Sequence, residues 1–252
     1  MIPFVKMNAC GNDFLIVDEE FAADGRADVA KKLCDRHSGI GADGVEWVRV
    51  LGGKVSAILS NADGSVAEIS GNGTRCIAAW RAAENHVDHV TVETAAGEKL
   101  CRILSHTGNS FQVEIAMGEP ALDAATVGNL QGLRVSMGNP HFVLFVDTFA
   151  EDWIDVGRKI SVDAQFPEGC NVEFVRVIAP DAIEFRIYER GAGPTLSSGT
   201  GSCAAAVAAM TQHGMPRDLR VISQGGEQRV RWDKQVMLTG PAELVARGEA
   251  YL

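Results

Sequence analysis

The chain has 252 residues, 46% of them hydrophobic, and its 33 Asp and Glu outnumber 23 Lys and Arg for a formal net charge of −10. That much apolar content fills one large core or two modest ones, and the acidic balance argues against a nucleic-acid partner, which calls for a basic face. No apolar run approaches the roughly 18 residues of a membrane span, and no basic, apolar leader is visible, so a cytoplasmic protein with no membrane association is expected.

Residues 4–7 and 10–18 read as strand, glycine turn, strand. Residues 28–35 form a short amphipathic helix, followed by the glycine-dense loop Gly39-Ile40-Gly41-Ala42-Asp43-Gly44 and a strand over 45–50. Gly52-Gly53 marks a hairpin whose return strand, 55–59, delivers Asn61-Ala62-Asp63-Gly64-Ser65. Next comes Ser70-Gly71-Asn72-Gly73-Thr74-Arg75-Cys76, opening an alanine-rich helix that ends near Glu84-Asn85. Strands are expected over 90–93, 98–104 and 110–116, then a loose Ala/Asp/Gly segment after Pro120. The domain crossing is placed there, giving lobes of 1–117 plus 241–252 and of 118–240.

The second half follows the same order. Residues 133–136 lead to Gly138-Asn139-Pro140-His141, a strand over 142–146 and a helix over 153–160. The loop Glu168-Gly169-Cys170-Asn171 precedes strands over 172–177 and 183–188, and the latter ends at Glu189-Arg190. Ser198-Gly199-Thr200-Gly201-Ser202-Cys203 then opens a second alanine-rich run. The Gly-Asn pairs (11–12 and 138–139) and the Ser-Gly phrases (70 and 198) recur at intervals that agree to within one residue. The pattern predicts an α+β fold of two pseudo-symmetric lobes, each a strand-rich sheet wrapped around a long central helix, with a ligand site in the cleft between them.

Each phrase puts a helix N-terminus, with its unpaired N–H groups, at a glycine-rich loop, and such ends attract anions. A carboxylate would take N–H donors from Asn72 and Gly73 on one side and Thr200 and Gly201 on the other. Ser70 and Ser198 would then flank its α-carbon, one side removing a proton and the other returning one. A lone Ser-Gly-x-Gly is a capping serine and a turn; two copies at matched intervals point to a site. The six cysteines (Cys10, Cys34, Cys76, Cys101, Cys170, Cys203) are scattered, without Cys-x-x-Cys or zinc-like spacing, and read as reduced, buried thiols. No nucleophile-elbow or phosphate-loop motif is present.

The segments Gly11-Asn12-Asp13-Phe14, Gly39-Ile40-Gly41-Ala42-Asp43, Asn61-Ala62-Asp63-Gly64-Ser65, Gly71-Asn72-Gly73-Thr74-Arg75-Cys76, Gly138-Asn139-Pro140-His141, Tyr188-Glu189-Arg190-Gly191 and Gly199-Thr200-Gly201 resemble the diaminopimelate epimerases, in order and over nearly the whole chain. The resemblance implies a homodimeric isomerase without cofactor or metal, independent of pyridoxal phosphate. Such an enzyme inverts one α-carbon of diaminopimelate between two acid/base residues, in the route to lysine and peptidoglycan precursors. It further implies that Asn12, Asn61, Asn139 and Asn171 hold the distal end of the substrate with Glu189 and Arg190, and that Gly71-Asn72 and Gly199-Thr200 bind the reacting carboxylate. His141, after a proline, is expected to be structural.

One departure matters: in the family the two acid/base positions are cysteines, and here they are Ser70 and Ser198. A free thiol has a pKa of about 8.5, whereas a serine hydroxyl is a far weaker acid that needs a neighbouring base. No His or Lys adjoins either phrase, and a Ser/Ser pair is expected to deprotonate an α-carbon poorly. Three readings remain open. The chain is an epimerase whose cysteines were exchanged to trap substrate, a natural serine branch acting slowly or on another amino acid, or a binding protein that lost the chemistry. Ser197 beside Ser198, and Pro194 where many members carry Glu, favour natural divergence.

Overall fold

The structure is a computed structural model and describes residues 1–22 and 25–251. The chain divides into two compact units, Met1–Ile115 with Gly240–Leu252, and Ala116–Thr239.

The first unit runs β1 (Ile2–Ala9), β2 (Asn12–Asp18), α1 (Arg26–Cys34), β3 (Gly44–Leu51), β4 (Lys54–Asn61), β5 (Val66–Ala67), α2 (Gly71–Asn85), β6 (His89–Thr94), β7 (Gly97–Thr107) and β8 (Ser110–Gly118). β1 pairs antiparallel with β2, β2 parallel with β3, and β3 antiparallel with β4. β4 takes β5 antiparallel and β6 parallel, and β6, β7 and β8 continue antiparallel. The last strand, β17 (Val236–Ala250), flanks β1 and also pairs with β8, so the sheet closes on itself through eight strands. Closure leaves none of these eight strands at an open edge.

Two layers of apolar side chains flank β3 because successive strand residues face opposite sides. Val45 and Trp47 pack with Ala30, Leu33 and Cys34 of α1. Glu46, between them, faces the other way, onto α2. Helix α2 packs on β1, β2, β6 and β7 and is buried from Gly71 through Ala79.

The second unit contains β9 (Ala121–Val127), β10 (Leu130–Ser136), β11 (Pro140–Phe145), α3 (Trp153–Ser161), β12 (Asn171–Ala179), β13 (Ala182–Glu189), β14 (Gly193–Thr195), α4 (Gly199–Gln212), β15 (Asp218–Ser223) and β16 (Gly226–Trp232). Its pairings repeat those of the first unit in order and sense. β11 is parallel to β12, β12 antiparallel to β13, β13 antiparallel to β14 and parallel to β15, and β15 antiparallel to β16. Even the register matches. Phe14 lies opposite Gly44 and Ile16 opposite Glu46, while His141 lies opposite Asn171 and Val143 opposite Glu173. Val172 and Phe174 pack with Trp153 and Ile160 of α3, leaving Glu173 to face α4. That helix is buried from Gly199 through Met210 and touches β10 to β13, β15 and β16. A helix apolar all round belongs in a core, and its alanines let the strands approach closely.

Two expectations are corrected. Helix α1 opens at Arg26 rather than near Asp28. The segment after Pro120, expected to be loose, forms β9, because its backbone pairs antiparallel with β10 over seven residues whatever its weak side-chain signal. All six cysteines are buried, and none is in a disulfide. No helix among the described residues is long and apolar enough to cross a membrane.

Candidate active site

In the first unit, Ser70 is the N-cap of α2. Its backbone is extended (φ −120, ψ 122), its Oγ accepts the Gly73 N–H at 3.0 Å, and its carbonyl accepts the Thr74 N–H at 2.8 Å. Glu46 reaches the same turn from β3. A Cβ on Gly73 would lie 1.9 Å from Glu46 Oε1 and 3.3 Å from Ser70 Cβ. The second glycine of the Ser-Gly-Asn-Gly phrase therefore makes room for a carboxyl. Glu46 is only 3% exposed, and burial alone pushes its pKa up to about 8, so it is protonated at neutral pH.

A hydrogen-bonded chain runs from the same turn. Arg75 donates to Asn72 Oδ1 (2.7 Å), Asn72 to Asn12 Oδ1 (3.3 Å), and Asn12 to Asp43 Oδ2 (2.6 Å). Arg36 then bridges Asp43 and Asp13, and Lys6 pairs with Asp13 at 2.9 Å. Burial opposes ionising Asp13, but the bonds from Arg36 and Lys6 outweigh it and hold the carboxyl below its ordinary range. Asn61 ends β4 and donates to Ser65 Oγ at 3.0 Å.

In the second unit, Ser198 is the N-cap of α4, extended in the same way (φ −140, ψ 131), with the Gly201 N–H at 3.1 Å from its Oγ. Here a carboxyl lies nearby: Glu189 interacts with Ser198 and accepts from Thr195 Oγ1 at 2.6 Å, while Ser198 Oγ lies 3.3 Å from Thr200 Oγ1. Desolvation outweighs both bonds and raises the Glu189 pKa. Glu173 lies beneath Gly201, where a Cβ would meet its Oε1 at 2.9 Å. Its Oε1 is 2.6 Å from His141 Nδ1, both side chains fully buried, and His141 Nε2 is 2.9 Å from Asn139 Oδ1. With Nε2 donating to Asn139, a single proton is shared along the His141–Glu173 line. Glu173 Oε2 is buried without a hydrogen-bond partner, and desolvation raises its pKa against the pull of His141. Asn139 also donates to Thr200 Oγ1 at 3.3 Å. Asn171 donates to the Pro140 carbonyl and accepts from the Arg190 N–H, and Arg190 Nη1 donates to the Glu168 carbonyl.

The two half-sites are built alike: an N-cap serine, a buried glutamate beneath the third helical residue, and an asparagine at the preceding Gly-Asn turn. The sequence profile of the diaminopimelate epimerase family matches residues 4–122 and 133–245. The chain belongs to this family. Diaminopimelate epimerases from Xylella fastidiosa strain 9a5c (39% identical, 98% of this chain and 96% of the relative), Pelotomaculum thermopropionicum (38%, 98% of each) and Corynebacterium glutamicum (38%, 100% and 99%) are similar over their full lengths. Family membership makes the protein an isomerase of the amino-acid epimerase kind. Among solved structures the fold is shared with a probable proline racemase from Agrobacterium radiobacter (TM-score 0.77, 15% identity, covering 100% of this chain and 93% of that one) and a hydroxyproline epimerase from Agrobacterium vitis (0.77, 14%, 99% and 91%).

Sequence reasoning located both serines, and the structure places each at a helix cap. It expected the N–H groups of Gly73 and Gly201 to receive a ligand carboxylate, and those two donors are instead hydrogen-bonded to the serine hydroxyls. At α4, the N–H groups of Gly199 and Thr200 are the ones the first turn leaves for a ligand. His141, expected to be structural, is fully buried, with both ring nitrogens in hydrogen bonds. Sequence reasoning missed Glu46 and Glu173, and it missed Glu189 as the partner of Ser198. A signal existed: each of the first two is an acid inside an apolar strand, between Val45 and Trp47 or Val172 and Phe174, and the two recur at the Asn12-to-Asn139 interval. Among the described residues no cluster of His, Cys, Asp and Glu is suited to hold a metal ion.

Proposed function

We propose that the protein epimerises diaminopimelate, or a closely related amino acid, by two-sided proton transfer, with Ser70 and Ser198 at the two acid/base positions. The observation that carries this reading is the matched pair of N-cap serines, each extended, each bonded to the third N–H of a buried helix, at corresponding points of one repeated strand order. The two units would act as pseudo-symmetric lobes, each contributing residues to the substrate. Its reacting carboxylate would lie on Gly71-Asn72 and Gly199-Thr200, and its distal end near Asn12, Asn61, Asn139, Asn171, Glu189 and Arg190. The protein would work as a cytoplasmic homodimer without a cofactor, as the family resemblance implies.

The chemistry is uneven. Ser198 can pass its hydroxyl proton to Glu189 as its oxygen takes the α-proton, and a carboxyl whose pKa desolvation raises is the better base for it. Ser70 has no such partner: its hydroxyl accepts the Gly73 N–H, and the buried carboxyl of Glu46 lies across Gly73 from it. Turnover should still be slow, because a hydroxyl remains a much weaker acid than a thiol.

The test is α-deuterium incorporation into LL-diaminopimelate in heavy water. Slow incorporation is expected from the unaltered protein, and Ser70→Cys with Ser198→Cys should raise it by a factor on the order of a hundred. Rapid exchange by the unaltered protein would overturn the view that serine limits the rate. One observation favours a second reading: both hydroxyls are occupied as helix caps, as in a protein that only binds its amino acid. Tight binding with no exchange, even after the double replacement, would establish it.

A further inference from the structure

Beneath the two helix starts the half-sites differ at one place. Glu173 shares a proton with His141, whereas the corresponding position beside Glu46 is Phe14, at the same register of the same strand pair. Glu46 is therefore a carboxyl without an imidazole, more than nine-tenths buried and pressed against the backbone at Gly73. The titratable groups around it are few. From α2 it faces the Cys76 thiol, which also interacts with Arg75, with Cys10 of the β1–β2 turn and with Asp13 of β2. Arg75 is committed to Asn72, to the carbonyls of Gly71 and Pro241, and to Cys10 Sγ. From the neighbouring strands the residues opposite are Ile16 and Leu59, neither charged.

We infer that Glu46 controls anion binding at the start of α2: protonated, it leaves the positive helix end to the substrate carboxylate, and ionised, it sets a competing negative charge there. The physical basis is that an N-terminal helix turn carries a partial positive charge concentrated in its first few N–H groups. A carboxylate fixed against Gly73 lies within that turn and satisfies it internally. A substrate carboxylate arriving at Gly71 would then meet a filled, like-charged site in a poorly screened interior. The proton on Glu46 is thus what keeps this half of the site receptive. The inference rests on the proposed function for the identity of the ligand, and it makes Glu46 a positioning residue that acts through α2 without touching the substrate.

The test compares the unaltered protein with Glu46→Gln, which keeps the shape and cannot ionise, by calorimetric titration of meso-diaminopimelate from about pH 7 to about pH 9.5. The substrate's own amines titrate in both proteins, so the quantity read is the difference between the two pH dependences. Affinity of the unaltered protein should fall roughly tenfold more than that of the variant over this range. Parallel profiles would overturn the inference. Should glutamine fail to fold, Glu46→Leu is equally unable to ionise and serves in its place.

A second readout separates this idea from the proposed function. A carboxyl raised in the folded state stabilises most below its unfolded pKa of about 4.3, and that stability is lost as pH rises through the folded value. The urea midpoint of Glu46→Gln, relative to the unaltered protein, should therefore climb between about pH 5 and about pH 9. If diaminopimelate binds neither protein, the functional reading has failed, and a climbing midpoint difference still supports the ionisation of Glu46 beneath α2. A flat difference overturns the inference whatever the ligand.

Discussion

A methyl group at Gly73 would sit 1.9 Å from Glu46 Oε1, a separation no real Cβ tolerates, so Gly73→Ala must push the carboxyl or the helix start aside. Overpacking of this kind costs about 1–3 kcal/mol, and urea denaturation should show it. Because the clash is with Glu46, Glu46→Ala in the same chain should recover part of the loss, a coupling that a double-mutant cycle measures. Gly201→Ala should be milder, since its nearest neighbours, Glu173 Oε1 and Ile187 Cδ1, stand farther off, at 2.9 Å. At this scale the sequence showed the phrase and hid the reason for it. Ser70 and Ser198 were legible as helix caps because capping is local, read from the residues that follow. Glu46 and Glu173 were not, because a single acid in an apolar strand does not tell which side chain or backbone it will meet.

Among the elements, the chain of polar contacts from Asn72 through Asn12 to Asp43 joins the start of α2 to β2 and to the loop before β3. Arg36 holds the far end by bonding Asp13 and Asp43 together. Asp13, held below the ordinary carboxylate range, contributes stability that is present above about pH 4 and lost as pH falls through its lowered folded value. Removing its main partner should expose that dependence: Arg36→Ala is expected to unfold at a higher pH in an acid titration followed by circular dichroism. Most elements were legible from hydrophobic runs bounded by glycine, with ends shifted by one to three residues. β9 was not, because Ala, Asp and Thr give no strand pattern and only the partner β10 specifies it. The strands β15 to β17 drew no expectation at all, although buried Leu219 and Val221 alternate with exposed Arg220, and buried Gln228 and Val230 with exposed Arg229 and Arg231.

At the scale of the molecule, burial governs the thiols. The Cys34, Cys101 and Cys170 thiols are pushed up to about 12, and that of Cys76 is raised further still, desolvation being the main cause in each. Thiolate is the reactive form, so an aromatic disulfide reagent at neutral pH should label none of the six cysteines of the native protein and all of them in denaturant. Rapid labelling of any one without denaturant would contradict the buried assignment. The repeated order of turns and phrases made the duplication legible over the whole length, because it is carried by residues at fixed intervals. The closing of the sheet was not, as it depends on pairing between segments at opposite ends of the chain.

That pairing lies in β17. Val236–Trp232 and the bridges beside it hold the beginning of the strand to β16, while Glu243 to Ala250 hold its end to β1. During synthesis on the ribosome, residues 116–239 emerge as one continuous stretch, whereas β1 waits for residues 243–250 before its outer edge is paired. The earlier-made half is therefore the later to be finished, and throughout that wait it presents an open strand edge to its surroundings.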